Sequence, residues 1–573
     1  MLEHTAVAAS GVRTAEAPTA ASRPRPAPLV TERRLFLALL VLGTALGLVL
    51  TRHGVNTTDD ADTYIGVARN LADGHGLTVP FTNVLDTFSP ATAVGFHGEV
   101  PFLLFGPLLS LVLAPFEWLG IASIDVVRYL NPVLLGLTLA VLGVLAWRVT
   151  RRSLLLSLAV VLLSLHTYVL QLYGYVQSEA LFLPLALASL LFLGRWAASR
   201  RTRYLVAFTA LAALASLARM IGVSLALVGV IAVLLWSADR WSRRLGRAIA
   251  VGAGAVAPLL VFVVYENALA GAGNRRPLSF SPPGTYDLRP TLDSITRWLL
   301  PTDPYGAVSS THRWVVGMVL LAIVVVLAVL AWRAWPRSPG TDDAAAVAAP
   351  PEPADDVEAR RLLGVVAMAT VAYLLVLVAS RTITDHSAAF QFGGRLLVPA
   401  LPLAWLLVAG VVSQWAASAW TPRVARTVVV TAGVIGLVLG VAHLTQTGEV
   451  LGWDGPGVNP TVAPSPTPEI VARLAGNGVV FANAPNRIWS GTGLHAVTVP
   501  ARTDALSGHR NQHLARDIAE LRDELHRHGG LVVYLDGNLL TTLHLMPEDE
   551  LVRRAGLHEV ERTRDARIYA LAP

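Results

Sequence analysis

The sequence predicts a polytopic α-helical membrane protein, with about eleven transmembrane helices and a small C-terminal extracytoplasmic α/β domain. Three observations predict it. The 573 residues are 54% hydrophobic and only 15% charged, with a mean hydropathy of +0.54, far too apolar for a soluble chain of this length. Apolar runs approaching the roughly 20 residues that cross a bilayer recur along the first three quarters of the chain. From about residue 446 they give way to short apolar runs alternating with helical stretches.

Residues 1–30 are rich in Ala, Pro, Thr and Arg without apolar periodicity and read as a disordered cytoplasmic tail. Arg33 and Arg34 precede the first span (35–51), which places the N-terminus inside. No small-residue cleavage site follows, so this span is read as retained. The loop 52–127 is then outside. Its apolar stretch 100–119 reads as an interfacial or re-entrant helix interrupted by Pro107 and Pro115. Were it to cross, Arg148, Arg151 and Arg152 would end outside, against the positive-inside rule.

The remaining spans fall near 128–147, 153–172, 178–195, 203–218, 220–237, 248–268, 312–332, 362–380, 394–413 and 426–444, with arginine groups on the inner side between them. The outer loop 269–311 ends in TLDSITRWLLP, an amphipathic helix expected to lie on the membrane. Residues 338–358 form a Pro/Ala/Asp cytoplasmic linker, expected to be disordered. The transmembrane domain thus runs over 31–445 and the extracytoplasmic domain over 446–573. In the latter, GVVFAN, HAVTVP, LVVYLDG and RIYALA read as strands around the helix HLARDIAELRDELHRH, which suggests a largely parallel sheet.

The chain has no cysteine, which excludes disulfides, thiolate chemistry and Cys-type zinc sites. It also has no lysine, the bias of a GC-rich bacterial genome. The net charge of +6 records arginines flanking spans, so the partner it implies is the lipid bilayer and no nucleic acid. There is no Walker loop, no HExxH and no GxGxxG between a strand and a helix. With no nucleotide fold on the cytoplasmic side, a donor carried on a membrane lipid and handled from outside fits better than a soluble nucleotide sugar.

Three constellations carry chemistry. In TTDDADTYIGVARNLADGHGL, Asp59, Asp60 and Asp62 open a short helix with Tyr64 one turn beyond Asp60. The bland reading is that Thr58, Asp59 or Asp60 merely caps that helix. Glu179 lies at the outer mouth of the fourth span, where an ionisable residue is a site candidate, or else simply reaches the interface. Arg219, Arg381 and Arg395 sit at outer span ends, against the topological trend. Guanidinium forks there suit a lipid phosphate, with His386 nearby to assist; the alternative is nonspecific anchoring to anionic headgroups. No cofactor is required by these motifs, although the oxygen-rich Asp59, Asp60 and Asp62 loop admits a divalent cation.

These segments resemble the GT-C glycosyltransferases that use polyprenyl-phosphate sugars, the group that includes the lipid A aminoarabinose transferase and protein O-mannosyltransferases. DADTYIGVARNLADGHGL resembles their first outer loop, LARMIGVSLALVGV and GGRLLVPALPL two of their spans, and FANAPNRIWSGTGLHAVTVP the outer domain of some bacterial members. The resemblance implies a multi-pass enzyme of the bacterial plasma membrane. It would move a sugar from a polyprenyl-phosphate-linked donor to an envelope acceptor (glycan, lipid or protein). Asp60 matches the catalytic first-loop aspartate, Asp59 is its neighbour, and Glu179 stands where a second acidic residue is expected. Where aminoarabinose transferases carry a Lys-Pro-Pro motif, this chain has Glu99-Val100-Pro101 with His97 close by. The lysine's phosphate contact is therefore lost or moved to an arginine; His97, Glu99 and Tyr64 become acceptor or positioning candidates. The rival readings are a transporter or flippase for a lipid-linked or small polar substrate, and a polymerase or ligase of lipid-linked glycans. A transporter would be expected to show internal repeats and broken midplane helices.

Overall fold

The computed structural model describes residues 31–82, 89–95, 99–102, 105–270, 280, 282, 284–299, 309–310, 314–318, 354–383, 394–451, 465–504, 509–537 and 543–572. From the N-terminus, α1 (Glu32–Leu50) leads to an outer layer. That layer comprises α2 (Asp59–Ala72), the strand β1 (Thr78–Val79), α3 (Pro90–Gly95), β2 (Val100–Pro101) and α4 (Leu108–Trp118). The bundle resumes with α5 (Ser123–Val149), α6 (Leu154–Ser164), α7 (Thr167–Gly174), α8 (Ser178–Ser199), α9 (Thr202–Ala218), α10 (Val223–Trp236) and α11 (Trp241–Ala270). It continues with α12 (Thr285–Leu299), α13 (Ala354–Ile383), the single turn α14 (Gly394–Leu397), α15 (Ala400–Ala419) and α16 (Pro422–Leu451).

Seven of the described helices are long and apolar enough to cross a membrane: α1, α5, α8, α11, α13, α15 and α16. The protein is a multi-pass α-helical membrane protein. Helices α9 and α10 fall where spans are expected but are shorter, and the expected span 312–332 lies mostly outside the described residues. The span expected at 153–172 is two helices, α6 and α7, meeting at a 64° bend. His166 makes the break: its backbone is extended and its Nδ1 accepts from the Tyr168 N–H, capping α7 anew. Residues 354–358, read from sequence as the end of a disordered linker, instead begin α13.

Close packing explains where α1 sits. A Cβ at Gly43 would stand 2.8 Å from the Gly136 backbone, and one at Gly47 only 2.5 Å from that of Pro132. Small residues one turn apart thus let α1 and α5 approach at backbone distance, as association inside a bilayer favours. Large apolar side chains that stay exposed, among them Val41, Leu42, Val261, Val264 and Val438, lie on α1, α11 and α16, the surface offered to lipid.

The stretch 100–119 departs from its expected single helix. Val100 and Pro101 pair antiparallel with Val79 and Thr78, and only Leu108–Trp118 is helical, with Pro107 as its N-cap. A second core, separate from the bundle's, forms beneath this layer from Tyr64, Val67, Phe81, Phe102, Leu113, Phe262 and Trp489.

The C-terminal region adds α17 (Thr467–Ala475), β3 (Val479–Ala482), α18 (Pro485–Thr492), β4 (Ala496–Thr498), α19 (Leu514–His528), β5 (Gly530–Leu535), α20 (Glu548–Ala555), β6 (Leu557–Arg562) and β7 (Ala566–Leu571). The strand order is β4-β3-β5-β7-β6. The sheet is mixed, not largely parallel as expected: β3 runs parallel to β4 and β5, whereas β7 is antiparallel to both β5 and β6. Strand β6 escapes the sequence reading because it is an edge strand, LHEVER, in which only Leu557 is buried. The domain docks on the outer layer: Thr82 Oγ1 accepts from the Thr498 N–H, and the Arg69 guanidinium lies 5.1 Å from the Trp489 ring centre.

Candidate functional site

Four charged side chains from distant segments meet where α2 approaches the start of α8. Thr58 caps α2, its hydroxyl accepting from the Ala61 N–H, so neither Asp59 nor Asp60 is needed as the cap. Asp60 instead accepts from Arg395 Nη1 at 2.6 Å. Arg395 also donates from Nε to Glu179 Oε1 at 2.5 Å. The same Glu179 oxygen forms an ion pair with Arg219. Glu179 is buried, its side chain only 1% exposed, while the side chains of Arg219 and Arg395 remain 19% and 39% exposed.

Chain breaks present both arginines. Arg219 has extended backbone at the end of α9, before the 3-10 turn Met220–Gly222. Arg395 lies in α14, one turn that stops before Pro399 caps α15. Tyr373 of α13 pins that turn, donating its hydroxyl to the Leu396 carbonyl at 2.6 Å. Arg219 therefore reaches Glu179 from a non-helical corner and Arg395 from an isolated helical turn. Two of the five N–H donors of Arg395 bond carboxylates in this arrangement.

Tyr64 joins the group through Ser178: its hydroxyl donates to Ser178 Oγ at 2.8 Å, and Ser178 Oγ stands 3.5 Å from Glu179 Oε2. Ser110 holds the Tyr64 backbone carbonyl at 3.0 Å, and the rings of Phe102 and Phe105 enclose the phenol. Burial first, then the Glu179 and Asp60 carboxylates, push the Tyr64 phenol well above its ordinary range, so it stays a neutral donor.

Asp59 and Asp62 face elsewhere. The Asn486 amide of α18 donates to Asp59 Oδ1 at 2.9 Å and to Asp62 Oδ2 at 2.8 Å. Burial pushes the Asp62 carboxyl up to about 7; the Asn486 hydrogen bond opposes the shift and the neighbouring Asp59 adds to it. The three acids of the first loop therefore diverge, two to the C-terminal domain and one to Arg395. Among the described residues no set of three or more His, Asp and Glu side chains gathers as cation ligands.

Other sequence candidates lie apart from the four. Glu99 pairs with His75 at 2.6 Å, just beyond the far end of α2, and stands 3.9 Å from His495. Arg381 is buried near the end of α13. His97 and His386 lie outside the described residues. Sequence reading missed Ser178, Tyr373 and Asn486, uncharged side chains whose role depends on neighbours remote in the chain.

No protein-family model matches this sequence, and no curated protein matches it significantly. Solved structures do. ArnT from Cupriavidus metallidurans bound to undecaprenyl phosphate superposes with a TM-score of 0.50 at 13% identity, over 94% of this chain and 98% of the other. The apo state of the same protein gives 0.39 over the same shares, also at 13% identity. The archaeal oligosaccharyltransferase AglB from Archaeoglobus fulgidus, with an inhibitory peptide and a dolichol-phosphate, gives 0.45 at 12% identity over 88% of this chain and 70% of that one. The end-to-end likeness to the first establishes a shared fold.

Proposed function

We propose that this protein is a membrane glycosyltransferase that moves a sugar from a polyprenyl-phosphate donor to an extracytoplasmic acceptor, with Asp60 as the general base. The observation that carries the reading is the convergence of Asp60, Glu179, Arg219 and Arg395 from four separate parts of the chain. The shared fold with ArnT, solved with undecaprenyl phosphate, supports the lipid-phosphate donor. A bacterial plasma membrane, an inside N-terminus and an outside C-terminal domain complete the reading, on the arginine distribution.

In the proposed reaction the donor phosphate takes the open faces of Arg219 and Arg395 and displaces Asp60 from Arg395. Asp60, released, accepts the proton of the acceptor hydroxyl. That oxygen attacks the anomeric carbon with inversion as the bond from carbon to phosphate oxygen breaks, and polyprenyl phosphate leaves with the electron pair. The growing charge on the phosphate falls between two guanidinium groups, where fixed donors are most effective. Glu179, a catalytic candidate by sequence, is assigned a positioning role: it is buried between the arginines and sets their spacing. Asp59 is assigned to domain docking through Asn486. The transporter reading has less support, because these charges cluster at one end of the bundle and mark no path through it.

The test uses membranes supplied with a radiolabelled polyprenyl-phosphate sugar. Asp60→Asn should lower transfer by about 10²–10⁴, the usual share of a general base, with unfolding unchanged. Near-normal turnover in a folded Asp60→Asn protein would remove the base, and substrate flux without a new glycosidic bond would favour the transporter.

A further inference from the structure

A polar cleft lies outside this site. A cavity of about 580 Å³ opens on the C-terminal domain, within the size range of small-ligand sites. Its floor is the start of β3 and β4, with Asn477 and His495 at the rim. One wall is α19, which contributes Glu524, Arg527 and His528; the opposite wall is α3 of the first outer loop, through Ala91, Val94 and Gly95. The two walls are tied together: Glu520 of α19 accepts from the Ala91 N–H at 3.2 Å, and Ala93 is buried in the domain core.

Glu524 is the chemical centre. Its side chain is 4% exposed, yet its two oxygens fare differently. Oε1 pairs with Arg527 Nη2 at 2.7 Å. Oε2 is buried and accepts no hydrogen bond among the described residues, with His528 Nε2 at 3.4 Å. A buried carboxylate oxygen left without a hydrogen bond is costly, and a hydroxyl that turns the His528 ring aside supplies the missing donor. Arg527 and His528 stand half-exposed beside it, offering N–H groups to acceptor oxygens. Val94, Leu494 and Val497 add apolar patches to the lining. Adjacent hydroxyls on a ring with apolar faces are what such a mixture recognises: one hydroxyl donates to Glu524, its neighbours accept from Arg527 and His528.

The position of the cleft says what kind of sugar. His495 on its rim stands 3.9 Å from Glu99, which pairs with His75 just past the C-terminal end of α2. Asp60 is at the other end of that 14-residue helix, about 20 Å away. A monosaccharide in the cleft would not reach Asp60, whereas an extended glycan chain spans both places.

We propose that this cleft is a distal binding site for an oligosaccharide chain, and, resting on the glycosyltransferase reading above, that the acceptor is a glycan held by its already built portion. The experiment is saturation-transfer NMR on the full-length protein in nanodiscs. Maltotriose, cellotriose, mannotriose and chitotriose, at millimolar concentration, are the probes, with glucose as the short control. At least one trisaccharide should take up saturation where glucose does not. Arg527→Ala should weaken that binding about tenfold or more, as expected for one charge-assisted hydrogen bond. Glu524→Gln should do the same while thermal unfolding of both variants stays at the parental value. If Glu524→Gln unfolds the domain, the exposed Arg527→Ala still decides. No binding by any trisaccharide, or binding indifferent to Arg527→Ala, overturns the proposal. Asp60→Asn should leave trisaccharide binding intact. A parental protein that binds a trisaccharide yet transfers no sugar would sink the enzyme reading and the acceptor assignment with it, and would leave the cleft a glycan-binding site.

Discussion

The two ends of the bundle carry ionic clusters of matched charge built in opposite ways. At one end, Arg148 holds Glu32 and Glu358, Arg195 shares Glu32, and Arg151 and Arg152 pair with Asp356 and Asp355. Here the least exposed group is an arginine, and each carboxylate comes from the first turn of α1 or the first two turns of α13. Those acids lie near helix N-termini, where negative charge is favoured in any case. At the other end, about 24 Å away along α8, the buried group is the carboxylate of Glu179, with two arginines around it still partly open. The first arrangement fastens helix ends through pairs whose carboxylates all reach water. The second sets two partly open arginines around one buried carboxylate, which fixes their spacing toward an anionic substrate.

The sharpest way to break the comparison is to remove each centre. Glu179→Ala leaves Arg219 without its carboxylate and Arg395 with Asp60 alone, which should cost about 3–5 kcal/mol, the usual penalty for breaking a buried pair. Chemical unfolding in detergent measures it. A loss no larger than that of an exposed pair would mean that the Glu179 cluster is as solvated as the other one.

Proton dependence separates the ends next. The Asp62 carboxyl is pushed up to about 7 in the folded protein from an ordinary 3.8. Below the ordinary value both the docked and the unfolded forms are protonated. As pH rises past it, the unfolded form gives up its proton while the native form keeps it, so stability falls, and the loss is complete only above about 7. Docking of the C-terminal domain on α2 should weaken by about 3 kcal/mol between about pH 5 and about pH 8. Hydrogen exchange in α18 reads this directly, and Asp62→Asn should flatten the profile. A profile that survives Asp62→Asn would assign the titration to another group.

Smaller again is the effect of changing the shape of the cation. Arg395→Lys keeps the charge but cannot donate to Asp60 and Glu179 from a fork, and it presents no planar face to phosphate. Donor KM should rise about tenfold, with a smaller change in kcat. An unchanged donor KM would leave Arg395 a structural partner of Glu179, and the two clusters would then differ only in burial.

These contrasts also mark what the sequence discloses. Hydropathy locates the spans because bilayer thickness dictates their length, and the arginines at span ends expected to lie outside stand out because they run against a distribution rule. Asp60, Glu179, Arg219 and Arg395 were thus visible singly, as charges in unfavourable places. Their pairing was not, since Arg395 and Asp60 are 335 residues apart. Nor was the divergence of the three first-loop acids: it depends on Asn486, an ordinary polar residue until α18 lies against α2. The β1–β2 pairing was hidden for another reason. Two-residue strands carry no periodicity, and Val100-Pro101 reads as the start of the apolar run that follows.

The smallest effect belongs to the Arg148 end, and it tests whether that cluster is only a fastening. Glu32 accepts from both Arg148 and Arg195 yet remains partly exposed, so water compensates much of what is lost when its charge is removed. Glu32→Gln keeps one acceptor oxygen for these donors, loses the other to an amide NH2, and leaves Glu358 on Arg148. The expected cost is under about 1 kcal/mol, reduced further by salt, with transfer activity and donor KM unchanged. Activity lost in a Glu32→Gln protein of normal stability would mean that α8 transmits a displacement from its Arg195 end to its Glu179 end. The two clusters would then be parts of one device and not two independent solutions to placing charge at a membrane boundary.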